Sequence, residues 1–138
     1  MKVSELGGAL LDYWVARAEG ERLAPAHTGP DPDTGRYWLQ LGKGYSVKEC
    51  PRYSSEWAAG GPIIQANDLQ IGPPTQSVHR YGGPNAGWGP SGFWSACSWH
   101  AGADGKRAFG HDKESPLVAA MRCYVMLKFG REVPEVTQ

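Results

Sequence analysis

At both ends of this 138-residue chain apolar residues return every three or four positions, and between the ends they come in short runs separated by glycine and proline. The first spacing is that of helices with an inward face, the second that of short strands and turns. The strongest signal covers residues 115–130, SPLVAAMRCYVMLKFG. Leu117, Met121, Tyr124 and Val125 form one stripe at about 100° per residue, while Val118, Ala120, Leu127 and Phe129 carry apolar surface most of the way round. A helix apolar on almost every side belongs in a core. Ser115 is placed to cap it, Pro116 stands where a missing N–H costs nothing, and Gly130 followed by Pro134 ends it. Lys128 lies close enough to the C-terminal end to snorkel and to favour the negative pole of the helix dipole. Arg122, deeper in the helix, needs a partner.

A second helical pattern runs from a cap at Ser4 to Glu19, with Gly20 as its stop. Leu6, Leu10, Tyr13 and Trp14 are expected to face the core, and Asp12, Arg17 and Glu19 to face water. Gly7 and Gly8 each cost about 1 kcal/mol relative to alanine inside a helix, so they imply a close crossing or a later start. Residues 21–36 are turn chemistry. The aromatic and aliphatic run 36–41 predicts a strand, continued at 45–48. The segment 53–64 predicts a turn, or a short helical turn capped by Ser54 or Ser55. Gly60, Gly61 and Pro62 then form a corner leading into a brief apolar strand at Ile63 and Ile64. A weak strand is expected at 77–80, a glycine-rich surface loop at 82–92, a strand at 93–100, a turn at 101–105 and a returning strand at 106–109. Helix, short strands, then helix favours an α+β fold. We expect a single domain over 1–138, its N-terminal helix and long buried C-terminal helix packed on a small, mostly antiparallel sheet with long Gly/Pro-rich loops.

Composition narrows the class. Fourteen basic against fourteen acidic side chains leave no net charge, so no average field draws the chain to nucleic acid or an anionic membrane. Glycine and proline together are numerous, 19 and 11, but six tryptophans and six tyrosines argue for a packed fold rather than a flexible one. Cys50, Cys97 and Cys123 are odd in number and far apart, which suits a reducing cytosol. The N-terminal apolar run is too interrupted by charge for a signal peptide, and no run of about 18 apolar residues exists to span a membrane.

The segments ELGGALLDYWVARAEG, YSSEWAAGGPII and SPLVAAMRCYVMLKFGREVP together resemble the signatures of the NinX-like phage proteins. The resemblance runs over about the whole chain, although Lys113-Glu114-Ser115 replaces a Gly-Pro-Thr type lead-in and the Gly/Trp-rich insert near 81–100 is not part of it. It implies phage or prophage origin and the bacterial host cytoplasm. It supplies no catalytic residue, ligand or reaction.

The residues themselves offer several chemistries. Residues 87–92 spell GxGxxG, but Pro90 and the strand expected next deny the strand-to-helix setting a dinucleotide needs, so a plain glycine loop is expected. Cys97-x-x-His100 with His111 and Asp112 is an incomplete zinc pattern, and Cys97 and His100 would point to opposite faces of a strand, which also disfavours a nucleophile and base. We therefore expect no metal, no cofactor and no catalytic residue. Trp38, Trp57, Trp88, Trp94 and Trp99, interleaved with Arg36, Arg52, His79 and Arg80, could stack bases, but core packing is the expectation for most. Trp88, flanked by glycines, is expected on the surface as a contact for a protein partner of host or phage. Arg122 either pairs with a carboxylate from a loop or opens onto a cleft. In the cleft reading Arg122, the N-terminus of its helix at Ser115, and the corner formed by Trp57, Gly60 and Gly61 converge on a carboxylate or phosphate. The function expected is binding or modulation; a nucleic-acid-associated factor and a small enzyme with an unfamiliar site are the alternatives.

Overall fold

The computed structural model describes residues 1–24, 29–42, 46–74 and 92–136. Its helices are α1 (Gly8–Ala18), α2 (Trp57–Ala66) and α3 (Pro116–Phe129). The strands are β1 (Trp38–Gln40), β2 (Val47–Glu49), β3 (Gln70–Gly72), β4 (Trp94–Ala101) and β5 (Arg107–Asp112). They make a two-stranded antiparallel sheet, β1-β2, and a three-stranded antiparallel sheet in the order β3-β4-β5. The fold is a single-domain α+β arrangement with the C-terminal helix laid across the larger sheet. The weak strand expected at 77–80 lies outside the described residues, as does Trp88.

The C-terminal helix is as its pattern predicts. Leu117, Ala119, Ala120, Met121, Cys123, Tyr124, Val125 and Met126 are buried. The Ser115 hydroxyl accepts from the Val118 amide at 3.1 Å, and Gly130 takes φ of 88°, which only glycine adopts cheaply. The closest packing is against β5. There Gly110 meets the backbone of α3 so tightly that a methyl group would overlap the Ala119 carbonyl oxygen and lie 2.7 Å from the Cys123 nitrogen. Glycine at this position is what lets the helix settle on the strand.

At the N-terminus a 3-10 turn over Val3–Glu5 replaces the first part of the expected helix, and α1 begins only at Gly8. The Ser4 cap is therefore absent, and the glycine pair marks the break. Met1 and Val3 pair instead with the tail that follows α3: the Val3 amide donates to the Arg131 carbonyl at 2.9 Å, and Met1 N to the Val133 carbonyl at 3.0 Å.

Asp12 corrects the amphipathic reading of α1, because it is 1% exposed. One of its oxygens accepts from Arg36 Nη1 at 3.1 Å and the other from the Ser54 amide at 2.8 Å, while Arg36 Nη2 donates to the Cys50 carbonyl at 2.6 Å. A charge pair buried with these hydrogen bonds is tolerable where a lone carboxylate would not be. It joins α1 to the small sheet and to the segment before α2.

The stretch 57–66 is a second correction. The corner and brief strand expected there are a helix that includes Pro62 and takes in Ile63 and Ile64. Pro62 and Ala58 are both exposed, so the carbonyl that loses its partner four residues back faces water. Gly60 is buried against the Tyr53 carbonyl and the Leu117 side chain, a contact with α3 that offsets poor local helix propensity. β3, immediately after α2, stands where the sequence shows no strand pattern, and β5 extends three residues beyond its expected end.

Candidate functional site

β5 sits at the edge of the larger sheet, and its sequence RAFGHD divides its duties by alternation. Ala108 and Gly110 are buried toward α3, whereas the rings of Phe109 and His111 stack on the other side with centroids 6.5 Å apart. Along the open edge of this strand runs a groove of about 620 Å³, lined by Ser4, Phe93, Phe109, His111, Asp112, Lys113, Glu114, Arg122, Met126 and Arg131 among others. A smaller hollow of about 320 Å³ continues it toward Lys2 and Glu132.

Arg122 enters this groove from α3 with its side chain 17% exposed. Its Nε donates to the Leu6 carbonyl at 2.8 Å, and Nη1 donates to the His111 carbonyl at 2.6 Å and to Asp112 Oδ1 at 3.1 Å. The guanidinium is thus held in one orientation from three directions. Among the described residues no acceptor meets Nη2. Asp112 is fully engaged, since its second oxygen accepts from the Glu114 and Ser115 amides at 3.0 and 2.8 Å. The carboxylate partner expected for Arg122 therefore exists, and it comes from the end of β5. Lys113 extends over the Phe93 ring, its Nζ 5.6 Å from the centroid. Arg131 donates Nη1 to Asp104 and Nη2 to the Arg107 carbonyl, the latter at 2.9 Å. The Lys106 amide, and then Arg131, hold the Asp104 carboxyl below its ordinary range.

The three features expected to converge do not meet. Ser115 has its hydroxyl on the Val118 amide and its own amide on Asp112, so the first turn of α3 is already served from within the chain. Gly60 packs on Leu117, and five residues of helix separate Leu117 from Arg122, about 140° of rotation. Trp57 stands 54% exposed at the start of α2, and Gly61 has open space where a side chain would be. Arg122 alone of these residues lines the groove. The sequence carries no sign of Asp112, Lys113 and Phe93 as its companions, because they reach it only through the β4-β5 pairing, which sets Trp94 opposite Asp112.

Among the other motifs, Cys97 is buried within β4 and His100 is exposed after a register shift that falls between Cys97 and Ala101. No cluster of three or more metal-ligating side chains occurs among the described residues. Cys50, Cys97 and Cys123 are buried and form no disulfide among the described residues. Burial pushes the Cys50 thiol up to about 12 and the Cys123 thiol higher still, which leaves them protonated and unreactive at neutral pH. Of the tryptophans proposed to stack bases, Trp57 and Trp99 are exposed, Trp38 and Trp94 half-buried, and Arg36 is consumed by Asp12.

The family described as Bacteriophage P22, NinX matches residues 2–128 of the chain. No curated protein matches it.

Proposed function

Because the chain belongs to the NinX family of bacteriophage P22, and so is a phage protein, we propose that it serves as an accessory factor that acts by binding rather than by catalysis, with the groove beside β5 as its site. The observation that carries this reading is the fixed Arg122 guanidinium in the wall of a groove that Lys113 also lines, its Nη2 meeting no acceptor among the described residues while Asp112, the carboxylate beside it, has both oxygens engaged. A donor-rich floor next to the Phe93 and Phe109 rings suits a carboxylate or phosphate carried on an apolar body. Such a group belongs to a host or phage partner, and Trp57, exposed on a helix without charged residues, is a second contact candidate. Zero net charge supports the absence of strong non-specific nucleic-acid binding. No helix among the described residues is long and apolar enough to cross a membrane, and three buried cysteines outside any disulfide suit the host cytoplasm as its place of action.

The test is an amide-resolved NMR titration with inorganic phosphate, phenyl phosphate and benzoate. Saturable shifts at Lys113, Glu114 and Arg122, stronger for the aromatic anions and lost in Arg122→Met, are expected. Saturable binding elsewhere, or shifts unchanged in Arg122→Met, would overturn the assignment.

A further inference from the structure

The guanidinium of Arg122 uses most of its donors inside the chain. Nε donates to the Leu6 carbonyl, and the two N–H groups of Nη1 donate to the His111 carbonyl and to Asp112 Oδ1. A two-oxygen anion docks side-on across Nε and Nη2 or across Nη1 and Nη2, and here each of those pairs has one member engaged. Arg122 can therefore meet an anion only through Nη2, with one oxygen. The second donor has to come from another side chain. Lys113 lines the same groove, stands over the Phe93 ring, and makes no ion pair among the described residues.

The charges divide in the same way. Of the lysine and arginine side chains in the lining, Arg122 has Asp112 at 3.1 Å and Arg131 is bound to Asp104, which leaves Lys113. Asp112 cannot swing away from an incoming anion, because Oδ1 accepts from Arg122 and Oδ2 from the amides of Glu114 and Ser115. Glu114 adds a further negative charge to the wall. Given the anion-binding reading of this groove, on which the inference rests, we propose that Asp112 sets its charge selectivity. The groove takes a singly charged carboxylate, one oxygen on Arg122 Nη2 and the other on Lys113 Nζ, and turns away a doubly charged phosphate monoester. A second charge on the ligand finds no second uncompensated cation and stands against a fixed carboxylate, a repulsion that weakens binding by at least about tenfold at such range near a protein surface.

The test titrates three ligands that share a phenyl ring, at pH 8, followed by amide shifts at Lys113, Glu114 and Arg122. Benzoate is planar and singly charged, benzenesulfonate tetrahedral and singly charged, and phenyl phosphate tetrahedral and doubly charged above a second pKa of about 6. In the parent both singly charged ligands should bind at least about tenfold more tightly than phenyl phosphate. Asp112→Asn keeps an acceptor for the Glu114 and Ser115 amides while the Leu6 and His111 carbonyls still hold Arg122, and it should close or reverse that gap. Glu56→Gln, the same charge change at a residue outside the lining, should leave the gap as it is, and Lys113→Gln should lose benzoate. Phenyl phosphate binding as tightly as benzoate in the parent, benzenesulfonate binding as weakly as phenyl phosphate, or an unmoved gap in folded Asp112→Asn would each overturn the proposal while the anion-binding reading stood. No saturable binding by any of the three would overturn both. Circular dichroism checks the fold of each variant, and the ranking in the parent decides if Asp112→Asn does not fold.

Discussion

Replacing Gly110 with alanine perturbs the joint on which the fold turns. The added methyl would overlap the Ala119 carbonyl oxygen and stand 2.7 Å from Cys123 N and 2.9 Å from Ala119 C. These are backbone atoms of a helix interior, so no rotamer change relieves the clash, and α3 must retreat from β5 by roughly 0.5–1 Å. A gap of that size forfeits about a quarter to a half of each dispersion contact across it. With about 40 atom pairs at ~0.15 kcal/mol each, the retreat costs about 1.5–3 kcal/mol. Residual overpacking adds about 1–3 kcal/mol. The sum, roughly 2.5–6 kcal/mol, is a large part of a domain stability of about 5–15 kcal/mol. At about 3–4 °C per kcal/mol for a chain of this size, the melting temperature should fall by about 8–24 °C. Thermal unfolding followed by near-ultraviolet circular dichroism reads the change directly. Gly61→Ala is the control, since no atom beyond its chain neighbours lies near the added methyl, and it should melt close to the parent because the gain in helix propensity is offset by the clash of a Cβ with the ring of Pro62. A Gly110→Ala protein melting within about 2 °C of the parent would refute the claim that helix-to-strand approach sets stability here.

Asp12→Ala should cost about 3 kcal/mol, the low end for a broken buried pair, because Arg36 loses its buried carboxylate and the Ser54 amide its acceptor while Glu49 still reaches Arg36 Nε at 3.0 Å; an unchanged denaturant midpoint would mean that the pair contributes nothing. Ser115→Ala should cost about 1 kcal/mol through loss of the cap on Val118, measured in the same way. Stability should decline above about pH 9. Burial raises Cys50 from 9.0 and Tyr53 from 10.0, each to about 12, so between those values the unfolded chain gives up protons that the folded chain retains. Their contribution is complete below the unfolded pKa values and is lost as pH rises toward the folded ones; a flat alkaline profile would contradict it. Because Cys50, Cys97 and Cys123 are all buried, a thiol reagent at pH 8 should label none of them until denaturant is added.

Periodicity and caps were enough to place α3 to within a residue, because a helix that is apolar nearly all round and closed by Ser115 and Gly130 has few alternatives. The α+β class and the β4-β5 hairpin were legible for a related reason, since short-range alternation and turn residues act locally. Family resemblance was likewise carried by contiguous segments. Tertiary structure decided what local pattern could not. It made a helix of the run containing Gly60, Gly61 and Pro62, because burial of Gly60 against Leu117 outweighs propensity in a short segment. It turned Asp12 inward by supplying Arg36 from 24 residues away, and it gave Arg122 its place by bringing Leu6, His111 and Asp112 to one guanidinium. A charged side chain reads as solvent-facing until its partner is known, and partners distant in sequence are chosen by packing.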